Sequence, residues 1–170
     1  KSDTKSSEIL LLASKKMGSI LKAEWEKKSD EIDDVIKTPY DALILASIVE
    51  KEAVLDVEKP IIAGVFIKRL IKNMRLQSDP TVIYAMGDAY KGNIKRSDLK
   101  INSPFNTYRQ KGLPPTPIGA PGLKSLRAVL NPRLSDYLYF VSKNDGSHKF
   151  SKTLKEHNDA VNYYQRKVRK

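Results

Sequence analysis

The stretch that decides the fold reads Thr38-Pro-Tyr-Asp-Ala-Leu-Ile-Leu-Ala-Ser-Ile-Val-Glu-Lys-Glu-Ala53. Thr38 suits the N-cap of a helix, Pro39 its first helical position and Asp41 a shortened capping box. From residue 42 to residue 49 the chain is apolar except for Ser47, which predicts a buried helix ending near residue 54.

A carboxyl group at the apolar end of this helix is a candidate general acid. Apolar surroundings raise the pKa of a carboxyl group, and a group that keeps its proton near neutral pH can donate it. Glu50 follows the apolar run directly and shares a helix face with Ser47, whereas Glu52 points to roughly the opposite side. Glu50 is therefore the candidate acid, and only one of the two carboxyl groups can face a given cleft. The alternative is a helix end that is simply solvated.

Composition limits the chemistry that the chain can perform. Its 170 residues fit one domain, residues 1–170. The absence of Cys excludes disulfides and thiolate chemistry, and two histidines argue against a His-rich metal site or a Ser-His-Asp triad. No apolar stretch is long enough to span a bilayer, and no signal peptide opens the sequence. Because the first residue is Lys1, we expect a fragment of a longer chain.

The formal net charge of +11 suits a polyanionic partner, such as nucleic acid, an acidic membrane face or an anionic polymer. A solubilising surface explains the charge equally well. A nucleic-acid-binding module is a rival hypothesis, but no recognised motif is present and the basic residues are scattered. We therefore predict no nucleic acid partner.

The remaining segments predict an α+β fold that is mostly helical, with a small antiparallel β element and a long Pro-rich loop. The first helix, Ser7–Lys28, would pack through Ile9, Leu12, Ala13, Lys16, Ile20 and Trp25, before a polar connector, Ser29–Lys37. The later elements are a helix opened by Pro60, a short helix Thr81–Met86 capped by Asp79, a helix Leu123–Leu130, strands Tyr137–Ser142 and His148–Phe150, and a last helix opened by Thr153.

The longest irregular region runs from Lys91 to Gly122 and is rich in proline. A long ordered loop in a small domain is usually functional, whereas a disordered linker is the alternative. We expect an ordered loop, pinned to the core by Phe105, Tyr108, Leu113 and Ile118. In the last helix, His157 falls among packing positions and is not expected to bind a ligand.

Polar side chains from helix, turn and loop segments could meet at one cleft beside the carboxyl group. They are Ser47, Gln77, Ser78, Asp79, Asn106, Thr107 and Tyr108. Amides, hydroxyls and aromatic rings around one carboxyl group are typical of a carbohydrate site. Hydrolytic glycosidases need two carboxylates, and Asp79 is the only plausible second one. A lytic transglycosylase needs a single acid, which fits one isolated Glu better.

The sequence resembles the MltG-type (YceG-like) endolytic murein transglycosylases from its first helix to about Tyr164. The matching segments are 46–52 (Ala-Ser-Ile-Val-Glu-Lys-Glu), 63–70, 74–84 (Met-Arg-Leu-Gln-Ser-Asp-Pro-Thr-Val-Ile-Tyr), 103–108 (Ser-Pro-Phe-Asn-Thr-Tyr), 112–115, 117–118 with 121–122, and 137–141. Each segment alone is a weak signal, and their combination is specific.

The resemblance implies a single-pass protein of the bacterial cell membrane, with its catalytic domain on the extracytoplasmic side and a LysM-like region upstream. Such an enzyme cuts nascent peptidoglycan strands between N-acetylmuramic acid and N-acetylglucosamine and leaves 1,6-anhydromuramic ends. Cell-wall synthesis and division proteins would be partners, and neither a metal nor a cofactor is expected. The fold would be partly lysozyme-like around the catalytic helix.

Carried over by motif, the catalytic residue would be Glu50, or Glu52 as the rival, because both lie in Glu-Lys-Glu. The residues expected at the glycan groove are Ser47, Gln77, Ser78, Asp79, Tyr84, Asn106, Thr107 and Tyr108. A noncatalytic glycan-binding or divisome scaffold is a further alternative. A pyridoxal-phosphate lyase would need a Schiff-base Lys and a phosphate-binding Gly loop, and no convincing one is present.

Overall fold

Six α-helices and one β-hairpin form the part of the chain that the computed structural model describes, residues 5–166. The helices are α1 (Ser6–Trp25), α2 (Pro39–Glu52), α3 (Lys59–Ile71), α4 (Asp79–Met86), α5 (Leu123–Leu130) and α6 (Leu154–Val161). The strands are β1 (Tyr139–Ser142) and β2 (His148–Ser151). The predicted α+β class, mostly helical with a small antiparallel sheet, is confirmed; the lysozyme-like arrangement stays a prediction.

Helix α2 lies at the centre of the core and begins as its sequence predicts. The Thr38 hydroxyl accepts a hydrogen bond from the Asp41 backbone, and the Asp41 carboxylate accepts one from the Thr38 backbone. Leu45, Ile48 and Val49 are fully buried, and α2 packs against α1, α3, α4 and α5. Because apolar side chains cover nearly every face of α2, its polar C-terminal end is held in a fixed position.

Helix α3 approaches the segment after α5 so closely that only glycine fits at position 64. A Cβ atom on Gly64 would lie 2.3 Å from the backbone oxygen of Arg133. The backbone N–H of Arg133 donates to the Pro60 carbonyl at 3.0 Å. This contact fixes α3 against the chain that leads into the β-hairpin.

The Pro-rich loop is ordered and pinned to the core, as predicted. Ile118 is buried, and Phe105 and Leu113 pack against the core. The side-chain amide of Asn106 donates to the carbonyl oxygens of Leu99 and Ile101, at 3.0 and 2.8 Å. Tyr108, in contrast, turns to a cleft instead of the core.

The hairpin pairs Tyr139 with Ser151 and Ser142 with His148 in antiparallel register. The strand prediction was correct, although β1 begins at Tyr139 and not at Tyr137. Asn144 and Gly146 adopt positive φ angles in the connecting turn, as its Asn-Asp-Gly sequence predicts.

The packing predicted for the first helix was partly wrong. Ile9 and Leu12 are exposed, and only the second half of α1, around Ile20 and Trp25, packs against the core. A helix of 20 residues is about 30 Å long, more than twice the length of its eight-residue neighbour α5. Helix α5 therefore covers only part of α1.

The connector before α2 was also misjudged, since it contributes to the core. A short 3₁₀ turn, Asp30–Ile32, places Ile32 and Ile36 inside the protein, both at most 1% exposed. The acidic residues between them face water, and their number hid the two apolar positions in the sequence.

Candidate active site

A cleft of 590 Å³ opens at the C-terminal end of α2. One wall carries Gln77, Asp79 and Tyr108, and Glu52 and Arg69 lie between the walls. The opposite wall is built by the hairpin, by α6 and by the helical turn Asn162–Arg166 that follows α6; it includes Tyr139, Val141, His148, His157, Asn158 and Gln165. The volume lies in the range of ligand-binding clefts.

Glu52 is one of the two carboxyl groups that line this cleft, with Asp79. Its side chain is partly buried and accepts a hydrogen bond from the Ser78 hydroxyl, with 2.6 Å between Oγ and Oε1. Burial raises the pKa of Glu52 to about 7, and the negative charge of Asp79 adds to the rise. The Ser78 hydroxyl and the Arg69 guanidinium act in the opposite direction and lower this pKa. Glu52 is therefore about half protonated at neutral pH.

Ser78 occupies the N-cap position of α4 but does not cap the helix. A Ser hydroxyl at this position usually accepts a bond from the helix backbone, whereas here it donates to Glu52. The Ser78 backbone N–H donates to the Thr107 hydroxyl at 3.0 Å. Thr81 closes the arrangement, because its hydroxyl lies 2.8 Å from that of Thr107 and 2.6 Å from the Ser78 carbonyl oxygen. This buried network holds Ser78 in place to bind the acid.

Asp79 and Tyr108 meet at the same wall. The Tyr108 hydroxyl donates to Asp79 Oδ1 at 2.5 Å. Burial raises the pKa of Tyr108, and the hydrogen bond to Asp79 raises it further, so the phenol stays protonated. Asp79 was predicted to cap α4, and it is instead the first residue of that helix. Gln77 precedes them with a positive φ of 52°, a conformation uncommon for a non-glycine residue.

Arg69 connects α3 to both walls of the cleft. Its Nε donates to the Leu138 carbonyl at 2.7 Å, just before β1. Its Nη1 donates to the carbonyl oxygens of Leu76 at 2.7 Å and Arg75 at 3.3 Å, just before the Gln77 wall. The guanidinium also lies over the Tyr139 ring, 5.2 Å from its centroid. The two walls are thus bonded to one buried side chain.

The hairpin wall has a second attachment. The His148 backbone N–H donates to Glu58 Oε1 at 3.0 Å, and His148 Nδ1 lies 2.7 Å from Glu58 Oε2. Glu58 belongs to the 3₁₀ turn Asp56–Glu58 that follows α2. On the same wall, His157 stacks on Tyr139, and burial lowers the pKa of His157.

Glu50 has a different environment and does not line the cleft. Its carboxylate accepts hydrogen bonds from the Ser125 hydroxyl, from the Gly122 backbone at 3.1 Å and from Lys59 at 3.4 Å. The Ser125 bond, followed by those from Gly122 and Lys59, lowers the pKa of Glu50 against the effect of burial. Asp56 lies 2.9 Å from Lys59 and extends the ion pair. Glu50 therefore stays ionised and holds α5 and the end of the Pro-rich loop to α2.

The structure brings together only part of the predicted site. Gln77, Asp79 and Tyr108 line the cleft, and Ser78 bonds to its carboxyl group. The other predicted groove residues face elsewhere: they are Ser47, Tyr84, Asn106 and Thr107.

Each of these four has another partner. The buried Ser47 hydroxyl donates to the Ile44 carbonyl and accepts from the Ile118 backbone. Tyr84 stacks on Phe105, with 4.8 Å between ring centroids. Asn106 and Thr107 are buried and hold the loop and Ser78 through the hydrogen bonds described above. They support the cleft without lining it.

Sequence reasoning missed Arg69 and the whole hairpin–α6 wall. Arg69 lies on the core side of an apolar helix, and a charged residue at such a position is a usable signal of a buried partner. His157, Asn158 and Gln165 gave no comparable signal, because an amphipathic surface helix carries such residues on its polar face. Among residues 5–166, no group of three or more acidic or histidine side chains is arranged to hold a metal ion.

No helix in the described part of the chain combines the length and hydrophobicity needed to cross a membrane. Residues 1–163 match the YceG-like family. A protein of Bacillus subtilis (strain 168) named endolytic murein transglycosylase is 48% identical over 122 residues, which cover 72% of this chain and 34% of that protein. A Streptococcus pneumoniae (strain D39) protein of the same name is 39% identical over 110 residues, covering 62% of this chain and 20% of that protein.

A crystal structure of a yceG-like protein from Listeria monocytogenes has a similar fold. The TM-score is 0.66 at 49% sequence identity, and the match covers 71% of this chain and 38% of that one. The chain spans about a third of the length of the Bacillus relative and a fifth of the pneumococcal one. The family match covers nearly the whole sequence, and the Bacillus relative is 48% identical over 72% of this chain. The chain therefore belongs to the YceG-like family.

Proposed function

We propose that this domain is a lytic transglycosylase of peptidoglycan that uses Glu52 as its single acid and base. The observation that carries the proposal is a carboxyl group with a pKa of about 7, fixed by Ser78 and facing a cleft. The names of the Bacillus and pneumococcal relatives support the same reaction and the same substrate. Because that substrate lies outside the cytoplasmic membrane, the domain would work on the extracytoplasmic side.

The choice of Glu52 over Glu50 follows from their surroundings. A general acid must hold a proton at the working pH and reach the scissile bond. Glu50 is kept ionised by Ser125, Gly122 and Lys59 and is turned away from the cleft. Glu52 meets both requirements, so we assign it the role that the sequence alone favoured for Glu50.

The reaction needs one proton carrier. Protonated Glu52 donates its proton to the oxygen of the bond between N-acetylmuramic acid and N-acetylglucosamine, and that bond breaks. The resulting carboxylate takes the proton of the 6-hydroxyl of the muramic sugar while O6 bonds to C1. A 1,6-anhydro ring forms, no water is consumed, and Glu52 recovers its proton. A pKa near 7 suits both the donating and the accepting step.

The arrangement favours ring closure over hydrolysis. Hydrolytic glycosidases place two carboxyl groups on either side of the bond. Here the second carboxylate, Asp79, directly follows Ser78, the residue that bonds to Glu52, and both carboxyl groups line the same cleft. Asp79 is also engaged by the Tyr108 hydroxyl.

The test is a product analysis with three proteins. Purified sacculi and uncrosslinked nascent glycan are each incubated with wild type, Glu52→Gln and Glu50→Gln, and the ends are identified by mass spectrometry. We expect anhydromuramic ends from wild type, a loss of at least about 100-fold in Glu52→Gln, and substantial activity in Glu50→Gln.

Other outcomes would change the assignment. Reducing ends would mean hydrolysis and would make Asp79 a second catalytic carboxylate. Activity that survives in Glu52→Gln and disappears in folded Glu50→Gln would return the role to Glu50. Binding of glycan without cleavage by folded wild type would favour a noncatalytic module.

A further inference from the structure

Two carboxyl groups line the cleft, and each has its own hydroxyl partner. Glu52 is bonded to Ser78 and Asp79 is bonded to Tyr108, at 2.6 and 2.5 Å. Ser78 and Asp79 are consecutive at the start of α4. The backbone that positions the bond to Glu52 therefore also sets the distance from Glu52 to the second carboxylate.

Asp79 lies at the start of α4 and has a hydroxyl partner. Asp79 is the first residue of α4, and the N-terminus of a helix attracts anions. The pKa of Tyr108 is raised, so its hydroxyl keeps its proton and donates a hydrogen bond to the Asp79 carboxylate. The Asp79 side chain is exposed to the solvent of the cleft, whereas Glu52 is partly buried. Of the two carboxyl groups, Glu52 is the one whose pKa is raised, chiefly by burial.

We propose that Asp79 is a positioning residue whose charge, held in place by Tyr108, keeps Glu52 protonated at neutral pH. The inference rests on the proposed role of Glu52 as the acid. It assigns Asp79 neither proton transfer nor a bond to the sugar. Its contribution is electrostatic and acts before substrate binds.

Other charged or titratable groups also line the cleft that Glu52 faces. They are Arg69 from α3, Tyr108 from the loop, Tyr139 and His148 from the hairpin, and His157 from α6. Arg69 opposes Asp79, because a positive charge lowers the pKa of Glu52. Burial and Arg69 both lower the pKa of His157, so its ring is neutral at neutral pH and adds no charge to the cleft. Asp79 is thus the main negative charge that acts on Glu52 within the cleft.

The experiment is an NMR titration of the Glu carboxyl carbons in the free protein, with the Glu52 resonance assigned by its loss in Glu52→Gln. We expect Asp79→Asn to lower the pKa of Glu52 by about one pH unit. Asp88→Asn removes the same charge from an exposed position beyond the other end of α4 and should leave this pKa unchanged. Asp79→Glu keeps the charge and should preserve most of the elevation.

The pH dependence of kcat/KM gives an independent measurement. A fall of one unit leaves about one Glu52 in eleven protonated at pH 7 instead of one in two, so activity of Asp79→Asn should drop about fivefold there. At pH 5 both proteins are almost fully protonated, and their activities should agree. A residue that binds the sugar would instead reduce kcat/KM at every pH.

The proposal is overturned if the titration of Glu52 is the same in Asp79→Asn as in wild type. It is also overturned if Asp79→Glu lowers the pKa as much as Asp79→Asn does, because size and not charge would then matter. These results do not depend on turnover. A wild type that makes no anhydro ends would refute the proposed function, whereas an active wild type with an unshifted Asp79→Asn profile would refute only the role of Asp79.

Discussion

Replacing Glu52 by Gln should make the fold more stable, and increasingly so as the pH rises. The pKa of Glu52 is raised by burial from 4.5 in an unfolded chain to about 7 in the folded protein. Below pH 4.5 the Glu52 carboxyl group is protonated in both states and does not change the free energy of unfolding. As the pH rises towards 7, the unfolded chain releases the proton while the folded protein retains it, so the wild type loses stability.

The magnitude follows from the size of the shift. A difference of about 2.5 pH units at 1.36 kcal/mol per unit is about 3 kcal/mol, fully developed above pH 7. Gln has no proton to release and can still accept the hydrogen bond from Ser78. The free energy of unfolding of Glu52→Gln minus that of wild type should therefore increase by about 3 kcal/mol between pH 4 and pH 8.

Urea denaturation at both pH values measures this difference, with the fluorescence of Trp25, the single tryptophan, as the probe. Other titrating groups are present in both proteins and cancel in the comparison. Glu50→Gln is the matched control with the opposite sign. The pKa of Glu50 is lowered, so its charge stabilises the fold above pH 4.5 and this contribution is lost on acidification. A difference between Glu52→Gln and wild type that stays constant within about 1 kcal/mol would refute the reasoning.

Three further predictions concern one residue that bonds to Glu52 and two residues that hold the fold together. Ser78→Ala removes a hydrogen bond that lowers the pKa of Glu52, so the alkaline limb of the kcat/KM profile should move to higher pH while the maximum falls about tenfold; an unmoved limb would contradict this. Gly64→Ala places a Cβ against the backbone oxygen of Arg133, and urea denaturation should show a loss of about 1–3 kcal/mol. Asn106→Ala leaves the partly buried carbonyl groups of Leu99 and Ile101 without this donor and should cost about 2–3 kcal/mol, with cleavage per folded molecule largely retained in a single-turnover assay.

Local signals in the sequence predicted the elements well. Thr38, Pro39 and Asp41 mark the start of α2 through bonds between near neighbours, and such bonds form wherever the residues occur in that order. The Asn-Asp-Gly sequence predicted the turn of the hairpin in the same way, because Asn144 and Gly146 readily adopt the positive φ angles that it needs. These features depend on backbone conformation over a few residues, which the sequence specifies directly.

The site depended on contacts between distant segments, and there the sequence was less informative. Glu50 and Glu52 are equivalent by residue type, and their environments differ because Ser125 and Gly122 meet one while Ser78 meets the other. The apolar run before Glu50 indicated burial. It did not indicate which of the two carboxyl groups would pair with a basic side chain, and in the structure Glu50 pairs with Lys59.

The same limit applies to the polar residues of the Pro-rich loop. Asn106 and Thr107 have side chains suited to sugar binding, and they are used to satisfy buried backbone groups. Residue type cannot separate a side chain that binds a ligand from one that stabilises the loop beside it. Only Tyr108, the next residue along, turns to the cleft.

The bonds of Arg69 to both walls have a consequence for how the proposed substrate, a glycan strand, would be received. Because one buried guanidinium bonds the Leu138 carbonyl on one side and the Leu76 carbonyl on the other, the width of the cleft is set in the free protein. Ordering of the cleft walls, which usually opposes association, is then largely complete before the proposed substrate arrives. The cleft is preorganised, and this lowers the entropic cost of binding.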